Sequence, residues 1–107
     1  MADPTDQPTL AERARTWAHV GRVGTLATCL AGRDGLPFAS LAAYGLDPDG
    51  NPILLLSRLA VHSRNLLADP RASLLVVEER AGEDPLALGR ATLAGRVAPL
   101  AAAEAGA

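Results

Sequence analysis

Apolar positions recur along the chain with two different periods, and each change of period marks a new element. Leu10, Ala14 and Trp17, with Ala18, fall three to four residues apart, opposed by Glu12, Arg13 and Arg15. This predicts an amphipathic helix from Leu10 to about His19 that lies on another part of the fold. Thr9 and Glu12 have the spacing of a capping box, and Gly21 follows as the stop signal. From Val23 to Cys29, valine, threonine and leucine predominate between Gly21 and the Gly32-Arg33-Asp34-Gly35 turn cluster, which reads as a strand. Phe38 to Leu46, the Asp47-Pro48-Asp49-Gly50 turn and Ile53 to Ser57 follow, so three consecutive strands predict an antiparallel meander. Pro37 and Pro52 stand just ahead of the strand bodies, where a missing amide donor does least harm. Ala60 to Ala68 reads as a short helix ending at Asp69-Pro70, because the residue before proline avoids helical geometry. Ser73 to Glu78 and Ala91 to Val97 supply two more strands, separated by the polar loop from Glu79 to Pro85. The expectation is a mainly β fold, a small barrel or strongly curled sheet with peripheral helices. Its open edges need closure or a second chain.

Size and charge narrow the function. A chain of 107 residues, 49% apolar, has room for one core. Residues 9–100 are expected to form that domain, residues 1–8 a disordered polar tail, and residues 101–107 the start of a truncated C-terminal helix or tail. The formal charge of −2 gives no diffuse attraction to nucleic acid or anionic lipid. All the cationic side chains are arginine, so Schiff-base and lysine-nucleophile mechanisms are excluded. The lone Cys29 forms no internal disulfide, and with no basic sequence neighbour it reads as a buried small apolar residue. No apolar run approaches the roughly 20 residues that span a bilayer. A cytoplasmic protein with no membrane partner is the expectation, taking a small-molecule ligand and a second copy of itself.

The densest polar cluster within apolar surroundings runs from Ser57 to Asn65, directly after the strand Ile53 to Leu56. A strand end leading into a helix start gathers backbone amides, the hydroxyls of Ser57 and Ser63 and the Arg64 guanidinium, the set of donors a phosphate monoester requires. On residue types alone, a second reading has Ser57 and Ser63 capping the helix and Arg64 solvated. His62 within this cluster suits hydrogen bonding to a ligand, and His19 suits a helix C-terminus. Their separation, with no cysteine cluster, argues against a metal site. Ser40 alternates with apolar residues, and its facing is open from sequence. Asp47 and Asp49 are explained by their turn. No nucleophile-elbow, phosphate-loop or dinucleotide-binding pattern occurs.

Joined in order, four stretches resemble the pyridoxamine 5'-phosphate oxidase-like, FMN-binding split-barrel family, and most closely its heme-utilisation (HugZ-like) branch. They are Gly24 to Thr28, Gly35 to Tyr44, Leu55 to Leu66 and Asp69 to Leu75, with Arg90 to Val97 similar to the next barrel strand. The resemblance implies a six-stranded split barrel, incomplete in this chain, assembled as a homodimer with FMN at the subunit interface. It implies that Ser57, Ser63 and Arg64 hold the phosphate with His62 among them, and that the flavin ring lies along Phe38, Ser40, Leu41 and Ala42. The expected function is that of an FMN-binding oxidoreductase-like protein. The alternatives are a non-enzymatic heme-binding or regulatory module and a deazaflavin-dependent reductase. The oxidase proper carries a substrate-contacting lysine near the place of Tyr44, and this chain has no lysine, so pyridoxamine phosphate oxidation itself is not expected.

Overall fold

The computed structural model describes residues 9–20, 22–78 and 82–100. The expected tail at 1–8, the start of a helix at 101–107 and the stop at Gly21 lie outside the described residues, as do the side chains of Ala14, Trp17 and His19. The elements in order are α1 (Leu10–Val20), β1 (Val23–Cys29), β2 (Pro37–Leu46), β3 (Pro52–Leu55), α2 (Val61–Ala68), β4 (Arg71–Val77), a 3₁₀ turn (Pro85–Ala87) and β5 (Arg90–Arg96). All five strands form one curled antiparallel sheet in the order β3-β2-β1-β4-β5, a half-barrel. The meander β1-β2-β3 is as the turn signals predict, and the strands that carry it match to within about two residues. No sixth strand occurs among the described residues.

The period-two pattern sorts the side chains. Leu26, Thr28, Ala42, Tyr44, Leu74 and Val76 are buried on one face, where α1 and α2 pack, and Ala18 and Leu66 complete the core from the helices. Complete burial of side chains such as Leu26 and Val76 stabilises the fold by about 1.5–3 kcal/mol each. Tyr44 donates its hydroxyl to the Ala18 carbonyl at 2.8 Å, tying α1 to the sheet with a buried polar contact. Leu10, expected on the packed face of α1, is exposed instead, because the capping box holds it at the outermost turn. In that box the Glu12 amide donates to Thr9 Oγ1, and the threonine hydroxyl donates to the glutamate. At Gly24 a Cβ would lie 2.7 Å from Leu74 Cδ1 and 2.9 Å from the Leu75 carbonyl, so only glycine permits this approach of β1 to β4.

The opposite face of the sheet is open. Val23, Leu41, Leu55, Leu75 and Val77 stand on it, and Leu41 is 74% exposed. A shallow groove of about 470 Å³ crosses this face between Val23, Leu41, Leu75 and Leu88.

Candidate functional site

The first half of β2, Pro37 to Ala42, pairs with β1 on one side and, among the described residues, with no strand on the other, because β3 engages only Ala43 to Leu46. Beside this free edge the chain leaves β3 and turns into α2. The turn is built from its own serines. The Leu59 amide donates to Ser57 Oγ at 3.3 Å, and the Ser57 carbonyl accepts from the Ala60 amide and from the Ser63 hydroxyl. Neither serine caps the helix, which corrects that expectation. The cap position falls on Ala60, whose side chain has no oxygen to offer. The amides of Val61 and His62 therefore have no partner among the described residues, and donors are left at the positive end of the helix dipole.

Ser40 and His62 meet across this junction, with Ser40 Oγ 3.0 Å from His62 Nδ1, both half-buried. The sequence does not decide where Ser40 faces. The pleat does, placing it on the same side as Leu26's partner positions and α2. His62 Nε2 has no partner among the described residues. The exposed guanidiniums of Arg58 and Arg64 likewise have none. Leu59 lies 88% exposed between these groups in the chain, and Val61 is partly exposed beside His62.

The proposed flavin-contacting residues of β2 divide between the two faces. Phe38, half-buried, shares the face of Ser40, and Ala42 is buried in the core behind it. Leu41 points to the open face. A ligand beside Ser40 therefore meets Ala42 and Leu41 through main-chain groups only. Ser40 and His62 are brought together, Ser57 and Ser63 are joined to each other within the turn, and Arg64 is exposed near the start of the same helix.

Asn65 is the residue that sequence reasoning passed over. It is 1% exposed, donates from Nδ2 to Thr28 Oγ1 at 3.0 Å and accepts the Ala31 amide on Oδ1 at 2.9 Å. It fastens α2 to the end of β1. The visible signal is its place next to Leu66 on the helix, where an unpaired amide side chain is not tolerated. Cys29 is half-buried and has Arg71 Nη2 4.0 Å from its sulfur, contrary to the expected burial without a basic neighbour. Arg71 also makes a 2.7 Å ion pair with Asp69, whose carboxyl is held well below the usual carboxylate range, chiefly by that guanidinium. Asp47 accepts from the Asn51 and Asp49 amides, which lowers its carboxyl too and accounts for it as a turn residue. Among the described residues, no group of three or more histidine, cysteine or acidic side chains gathers to hold a metal ion. No helix among them is long and apolar enough to cross a membrane.

A curled antiparallel half-barrel with a helix laid against its first strand, and a polar rim where that helix begins, defines a split-barrel protein. The chain belongs to the pyridoxamine 5'-phosphate oxidase family, whose model matches residues 10–107. It is 42% identical over 74 residues to the chloroplastic non-canonical heme oxygenase HOZ of Arabidopsis thaliana, a match taking in 66% of this chain and 23% of that protein. It is 46% identical to a heme binding protein of known structure from Mycobacterium smegmatis, with a TM-score of 0.81 over 94% of this chain and 40% of the other. HutZ, the heme storage protein of Vibrio cholerae, shares the fold at a TM-score of 0.70 and 22% identity, over 92% of this chain and 70% of its own. The chain thus spans less than half the length of the first two.

Proposed function

We propose that the chain is the ligand-cradling part of a heme-binding split-barrel protein. The observation that carries this reading is the junction of β3 and α2, which presents, along one stretch of chain, helix amides and two guanidiniums that have no partner among the described residues, an exposed leucine and a half-buried imidazole. A porphyrin is a flat apolar ring with two carboxylates and a metal centre, and each of those features has a counterpart there. The named relatives that handle heme support this choice of ligand. When bound, heme supplies the redox centre. The protein's own share is to neutralise the carboxylates with Arg58 and Arg64, cover part of one face with Leu59 and Val61, and hold His62 in orientation through Ser40.

A second reading is that the same donors take the phosphate of FMN, with the ring along the free edge of β2 and FMN doing oxidoreductase chemistry. Membership of the pyridoxamine 5'-phosphate oxidase family favours it. Titration of the purified protein with hemin and, separately, with FMN tests both. The heme reading expects a saturable shift of the Soret band at micromolar hemin, and unsaturable, albumin-like uptake overturns it. Quenching of FMN fluorescence at a stoichiometry of one supports the second reading.

We also propose that a second copy covers the open sheet face. Val23, Leu41 and Leu75 stand exposed on three neighbouring strands of this face, with Thr25 between Leu41 and Leu75, and water solvates such apolar surface poorly. Sedimentation is expected to give twice the 11.0 kDa chain mass, and Leu41→Arg to return it to one.

A further inference from the structure

Resting on the reading that a second copy covers the open sheet face, we infer how the two copies meet. A two-fold axis runs across the strands, so that the acidic end of this face in one copy lies over the arginine end of the other.

The strand register lays the face out row by row. Ala39, Ala27, Ser73 and Ala94 stand side by side on β2, β1, β4 and β5, a row of small side chains. The next row is Leu41, Thr25, Leu75 and Thr92, with large side chains at two of its four places. None of these side chains is buried, and alternation along each strand turns them away from the core. Beyond the small row lies Cys29, with Arg71 Nη2 4.0 Å from its sulfur and Arg96 opposite Arg71. At the other end Glu78 and Glu83 border the groove beside Val23 and Val77, and they outnumber Arg90, the register partner of Val77.

Two identical sheets packed face to face, about 10 Å apart, are related by an axis lying between them. An axis along the strands sets each row against itself. The leucines then hold the sheets apart over the small row, and arginine end meets arginine end. An axis across the strands, passing between the two rows, sets the leucine row of each copy over the small row of the other. That arrangement fills the seam toward interior density. It also brings Arg71 and Arg96 to the end where the second copy carries Glu78 and Glu83. On β1 it places Cys29 over Val23 of the second copy.

The chain has a single cysteine, so cross-linking reads the orientation. Wild type, Val23→Cys and Val77→Cys are sedimented and then treated with a short bismaleimide. Both variants are expected to give covalent dimers on a denaturing gel, because each new thiol lies over or beside Cys29 of the second copy. The wild type is expected to remain single chains there, and Val23→Cys/Cys29→Ser to lose the cross-link. Cross-linking of the wild type overturns the orientation while leaving the dimer standing, as does its absence in cysteine variants that sediment as dimers. A wild type that sediments at the mass of one chain overturns both.

Discussion

The two halves of α2 treat their polar groups in opposite ways. In the second half, Asn65 is buried with both ends of its amide engaged, and Asp69, just past the helix, is paired with Arg71. In the first half the amides of Val61 and His62, the Nε2 of His62 and the guanidinium of Arg64 have no partner among the described residues. Eight residues thus contain both a fastening and an opening. Satisfied buried polar groups cost dearly when one partner is removed, whereas exposed unsatisfied ones contribute little to stability and remain available to a ligand. Mutations in the two halves are therefore expected to separate folding from binding.

The largest effect belongs to the fastened half. Asn65→Ala strands the Thr28 hydroxyl and the Ala31 amide beneath α2, and is expected to lower unfolding free energy by about 2–4 kcal/mol in urea denaturation. Hemin affinity, measured well below the new midpoint, should stay near the wild-type value. The open half gives the converse. Arg64→Ala is expected to weaken hemin binding by about 1.5–3 kcal/mol, the range of a charge-assisted hydrogen bond, and to change stability by less than about 0.5 kcal/mol. Equal losses of stability in the two variants would erase the contrast.

The smallest effect is at the Asp69–Arg71 pair, which is exposed and open to screening. Arg71 depresses the Asp69 carboxyl in the folded state from its ordinary 3.8. Its contribution is accordingly present above that value and is lost as pH falls through the lower folded one. Between pH 5 and strong acid the wild type should lose slightly more stability than Asp69→Asn, as read from urea midpoints at each pH.

The strands and turns were legible because each is a local signal. Gly32 to Gly35 and Asp47 to Gly50 punctuate the chain, and the alternation from Val23 to Cys29 fixes which residues face the core. The family was legible from four ordered stretches. The assembly of the rim was not. That Ser40 meets His62 depends on where β2 sits against α2, a pairing 22 residues apart that no local pattern encodes. The serines look like caps by type, yet the helix begins at Val61, so Ala60 takes the cap position and Ser63 bonds back to Ser57. Asn65 was hidden for the same reason: its partners, Thr28 and Ala31, are supplied by a strand end more than thirty residues earlier.

The central claim is that ligand enters at the start of α2 and not over the open sheet face. Amide NMR of the labelled protein during hemin addition tests this directly, since the ferric iron broadens the resonances nearest to it. The account predicts broadening first at Ser40 and from Ser57 to Arg64, with Val23, Leu75 and Val77 spared. Broadening centred on those three residues would place the ligand in the groove on the other side of the sheet and contradict it.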